Sequence, residues 1–80
     1  MEKIIVYDEN NNPKEYKLLL IIDKEYKYII YTDINNDNIE KDIMVAKVTS
    51  LDNINKMLQI NENEWQMIEE RYKKFLSMRK

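Results

Sequence analysis

The apolar positions of this chain fall into two regimes. Up to residue 60 they come in short runs rich in Ile, Val, Leu and Tyr, bounded by Asn, Asp and Lys. β-Branched and aromatic runs with such boundaries predict strands. They place strands at 3–7 (KIIVY), 16–23 (YKLLLIID), 26–32 (YKYIIYT) and 42–50 (DIMVAKVTS), with a possible short strand at 56–60 (KMLQI). The second and third runs are nearly contiguous, which predicts a tight hairpin around Lys24 and Glu25. The segments DENNNPKE, DINNDN and LDNIN read as turns and connections.

Beyond residue 60 the spacing changes to three and four. Trp65, Ile68, Tyr72, Phe75 and Leu76 line one stripe of a helix predicted over 62–78, with Trp65, Ile68 and Tyr72 as its anchors in the core. Asn61 and Glu64 have the spacing of a capping box. Glu62 and Glu64 open the helix and Lys73, Lys74, Arg79 and Lys80 lie towards its end, an order that complements the helix dipole. The chain therefore reads as one α+β domain over residues 1–80: an antiparallel sheet of four to five strands with one C-terminal amphipathic helix packed on one face.

Strict alternation puts Leu18, Leu20 and Ile22 on one face of the sheet and Leu19 and Ile21 on the other, while Tyr28 and Ile30 oppose Ile29 and Tyr31. Both faces are then apolar, whereas a half-solvated antiparallel sheet alternates apolar with polar. One helix covers one face. The other, around Leu19, Ile21, Ile29 and Tyr31, is expected to be covered by curling of the sheet, by the N-terminal segment, or by a second copy of the chain.

Composition narrows the chemistry. Eighty residues with no Cys have no disulfide to support a small core, and the absence of Cys fits a reducing compartment, here the cytoplasm. The absence of His removes the commonest general base at neutral pH. The only apolar run near the start is too short for a signal peptide or a membrane span, so no membrane association is expected. A net charge of -2 gives no basic excess for binding phosphates. With no Gly in the chain, turns that need a positive φ fall to Asn and Asp.

The order YKYIIYT, an acidic and Asn-rich loop, VAKV and then INENEWQMIEERY resembles the YrzB-like family of small bacterial proteins of unknown function. The matching positions are Tyr28 to Thr32, the loop around Asp33 to Asp37, Val45 to Val48 with Lys47, and Glu62 to Ile68 around Trp65. The resemblance implies a cytoplasmic α+β protein and carries over no catalytic residue, ligand or cofactor. The loop is richer in Asn here than the densely acidic loop of relatives.

Three sets of residues invite a chemical reading. Asp33, Asn35 and Asp37 open like a calcium loop, but Asn38 stands at its glycine position and Met44 where a bidentate acid is needed, so an ordinary Asn/Asp turn is the expectation. Tyr16, Tyr26, Tyr28 and Tyr31 with Lys17, Lys24, Lys27 and Lys47 could present rings and cations to single-stranded nucleic acid, although strand tyrosines and edge lysines also serve structure alone. The many carboxylates mark no catalytic pair. We expect a non-catalytic, self-associating interaction or regulatory module without cofactor or metal, its partner a second copy or another protein, with nucleic-acid binding as the alternative.

Overall fold

A computed structural model describes residues 2–53 and 56–79. Strands β1 (Lys3–Tyr7), β2 (Pro13–Asp23), β3 (Lys27–Asp33) and β4 (Ile43–Val48) precede a 3-10 turn at Leu51–Asn53 and helix α1 (Glu62–Ser77). The strands form one antiparallel sheet in the order β1-β2-β3-β4. The fold is α+β, as the change of period along the chain predicts. Lys80 and positions 54–55 of the predicted connection lie outside the described residues.

The turns use the residues that a glycine-free chain must use. Asn11 and Asp42 hold positive φ, at 64° and 56°. Asp8 Oδ1 accepts the amides of Asn10 and Asn12, both at 2.9 Å, and so closes the β1–β2 turn. Strand β2 starts three residues earlier than predicted. Pro13 is tolerated there because β3 does not reach it: pairing of β2 with β3 begins at Tyr16. The segment predicted as a fifth strand, 56–60, contributes only a single bridge, Leu58 to Lys47, because Ile60 already turns in towards the helix-side core and Asn61 caps α1.

A bulge changes which residues share a face. Leu18 pairs with Tyr31 and Leu20 with Ile30, leaving Leu19 as the extra residue. Leu18 is thereby switched to the face of Ile29 and Tyr31, while Leu20 and Ile22 stay on the helix side and Leu19 packs against the helix-side core. The strict alternation expected from the sequence fails at this point, and Leu19 does not lie on the face assigned to it.

Two clusters result. On the helix side, Ile22, Tyr28, Ile30, Ile68 and Tyr72 are buried. On the opposite side, Ile29, Tyr31, Ala46 and Val48 are buried, with Ile4, Val6, Tyr16, Leu18 and Met44 packed against them. These neighbours belong to β1, β2 and β4, so residues of the sheet itself cover the centre of that face. Ile29 and Tyr31 are only 2% and 7% exposed. Ile21, nearer the margin, is 38% exposed.

Helix α1 carries the predicted capping box: Asn61 Oδ1 accepts the Glu64 amide at 2.9 Å and Glu64 Oε1 accepts the Asn61 amide at 3.0 Å. Ile68 and Tyr72 are 2% and 7% exposed, as core anchors should be. Trp65 is not a core residue, being 41% exposed. At roughly 100° per residue, Glu64 and Trp65 flank the line of Ile68 and Tyr72 on opposite sides. The flank of Glu64 meets Tyr28 and Lys47, and that of Trp65 lines a groove with Ile43 and Val45 of β4, an edge strand.

Candidate functional site

The unusual residue of β4 is Lys47, a cation in the run IMVAKV, only 9% exposed. A buried ammonium needs a counter-charge and hydrogen-bond partners. Glu64 provides both, with Oε2 at 2.8 Å and Oε1 at 3.0 Å from Nζ. The Tyr28 hydroxyl donates to Glu64 Oε2, and the Lys47 ammonium lies 4.3 Å from the centre of the Tyr26 ring. The carboxylate that caps the helix therefore also ties its first turn to β3 and β4.

The electrostatics follow from these contacts. Hydrogen bonds from Lys47, then from Tyr28, then from the Asn61 amide hold the Glu64 carboxyl down at about 2. Burial, reinforced by the bond to Glu64, pushes the Tyr28 phenol up to about 12. Glu64 is thus held ionised and Tyr28 protonated, the states that their hydrogen bond requires. The geometry makes this cluster a latch between helix and sheet.

Beside the latch runs a groove of about 380 Å³ along the outer flank of α1. Ile43, Val45, Ile68, Tyr72 and Leu76 form its apolar floor and Trp65 one wall. Its rim carries Glu40, Glu69 and Lys73. The groove lies between one flank of α1 and β4, the last strand of the sheet.

The other residues singled out in the sequence are placed differently. Tyr28 and Tyr31 are buried, and Tyr16 meets Tyr31 edge-on with ring centres 5.0 Å apart. Lys27 pairs with Asp23, and Lys17 donates to the Asn36 carbonyl at 2.7 Å. These tyrosines and lysines thus engage carboxylates, one another and the backbone. In the loop after β3, Asp33, Asn36 and Asn38 accept the amides of Asn35, Asn36's neighbour but one Asn38, and Glu40 respectively, a succession of Asx turns. Of the three residues that resembled a calcium loop, Asp33 serves one of these turns through Oδ1. The interface set is divided, with Ile29 and Tyr31 buried, Leu19 on the helix side and Ile21 exposed at the margin.

Sequence reasoning missed the latch. Its signal was the single cation in an apolar strand, which calls for an acid within reach. Local spacing shows Glu64 only as a cap and a first-turn acid.

The fold and site define a small α+β protein in which a four-stranded antiparallel meander carries one helix, fastened by a buried ion pair beside an apolar groove. The chain belongs to the family described as Protein of unknown function (DUF1292), whose sequence model matches residues 9–77, from the first turn to the end of α1. No curated protein and no solved structure matches it. Among the described residues, no helix is long and apolar enough to cross a membrane.

Proposed function

We propose that this protein is a non-catalytic, self-associating interaction or regulatory module acting in the cytoplasm, of the YrzB-like kind that its sequence resembles. The observation that carries this reading is the half-exposed Trp65 beside an apolar groove on an edge strand. The exposed part of this large ring is left for a contact, and tryptophan is enriched among residues that dominate binding energy. The strongest charge cluster, Lys47 with Glu64 and Tyr28, has its groups committed to one another, which supports a structural role for it.

Self-association also suits the size of the chain, because a small core leaves little stability in reserve and a second copy adds to it. The test is sedimentation equilibrium of the whole chain from low to high micromolar concentration. A mass rising to that of a defined oligomer is expected. A monomer throughout would remove self-association from the reading.

A further inference from the structure

We propose that β4 is the self-association edge: two copies pair β4 to β4 in antiparallel fashion about a two-fold axis, each Trp65 closing against the partner's groove. This rests on the self-association proposed above and names its surface. The direction of the backbone comes first. The Lys47 carbonyl accepts the Leu58 amide at 2.7 Å from outside the sheet. Successive peptide groups of a strand alternate in direction, so Ile43 and Val45 also turn their N–H and C=O groups away from β3. The register agrees: Lys47, Val45 and Ile43 lie opposite Tyr28, Ile30 and Thr32, whereas Ala46 and Met44 lie opposite Ile29 and Tyr31.

Leu58 occupies the edge only at Lys47. Among the described residues, nothing else bridges β4 from outside. The stretch around Ile43 and Val45 is therefore a template for one more strand, the geometry by which extended segments add to sheets. The side chains of Ile43 and Val45 form part of the groove floor. One added strand would thus satisfy the edge and cover the groove together.

The charges favour a second copy as the occupant. The rim carries both signs, with Glu40 and Glu69 against Lys73. In a two-fold contact each surface meets itself, so a rim of mixed sign can set Lys73 of each protomer against an acid of the other. A rim built for a strongly basic or acidic peptide would carry one sign. An antiparallel pair about an axis normal to the sheet also places both helices on the same side, which brings the two Trp65 flanks towards each other.

The experiment is residue-resolved hydrogen exchange of the whole chain over a range of concentrations, alongside sedimentation. The Ile43 and Val45 amides are expected to slow at least about tenfold as dimer forms, with β1 unchanged. Trp65→Arg should weaken association about tenfold or more. Lys73→Glu, at an exposed helix position that leaves the core intact, makes the rim wholly acidic and should weaken association in a way that added salt relieves. Association without slowing at Ile43 and Val45 would overturn the edge while leaving self-association standing. A monomer at every concentration would overturn both. Species growing beyond a dimer would overturn the closed two-fold contact in favour of an open β1-to-β4 chain.

Discussion

Replacing Trp65 and Ile68 in turn by Ala separates the packing seen here from the one that size alone suggests. Ile68 is 2% exposed at the centre of the helix–sheet contact. Truncation removes three carbons, worth about 0.8 kcal/mol each, and the unfilled space adds about 1 kcal/mol, for a loss of about 3.5 kcal/mol. A fully buried Trp would lose about 3 to 5 kcal/mol. Trp65 is 41% exposed, so only a little over half of that burial is at stake, and its truncation is expected to lose about 2 kcal/mol. The smaller side chain should therefore matter more. For 80 residues the whole stability is about 4 to 12 kcal/mol, so both losses are large enough to resolve. Urea unfolding followed by far-UV circular dichroism is the appropriate assay, because one variant lacks the fluorophore. It should be run at low micromolar protein to keep any contribution from association small. If Ile68→Ala does not fold, Ile68→Val should still lose about 1 kcal/mol, and Tyr72→Phe then tests the same contact through its bond to the Ile39 carbonyl. A loss at Trp65 equal to or greater than that at Ile68 would refute the placement of the indole at the rim.

Two further outcomes follow from the polar contacts. Folding lowers the Glu64 carboxyl from its ordinary 4.5 to about 2, so its ionised form favours the native state. That contribution is fully present above the higher value and is lost as pH falls towards the lower one; in an acid titration of stability, Glu64→Gln should flatten the fall in this window, and an unchanged fall would remove the latch as its source. Thr32 is wholly buried, donating to the Asp42 carbonyl at 2.8 Å and accepting from Asn36 Nδ2 at 2.7 Å. Thr32→Val keeps the shape but removes one bond from each partner, Asn36 keeping its bond to the Lys41 carbonyl, and thermal or urea unfolding should show a loss of about 1 to 3 kcal/mol; a neutral result would mean that water replaces the hydroxyl.

The committed contacts also explain how the meander and helix hold together. The helix approaches the sheet through Ile68 and Tyr72 in its middle, while Glu64 fastens its first turn to Lys47 and Tyr28. Replacing a buried ion pair with apolar residues is often neutral, whereas removing one partner leaves the other charge stranded. Its use here is to fix where the helix begins on the sheet.

The sequence by itself determined what depends on neighbours within a few positions. The start of α1 was legible because a cap and its reciprocal carboxylate lie three residues apart, and the helix stripe because its period is local. The hairpin at Lys24 and Glu25 and the positive φ of Asn11 were legible for the same reason, the latter because a chain without Gly has few residues to offer there. Only the tertiary structure decided the rest. The bulge at Leu19 is a mismatch in pairing between strands, which alternation along one strand cannot reveal. The burial of Ile29 and Tyr31 comes from neighbours on β1, β2 and β4, and Trp65 stands exposed beside the edge strand β4. Glu64 finds Lys47 and Tyr28 across separations of 17 and 36 residues, and it is the packing of helix on sheet that turns a local cap into a buried latch.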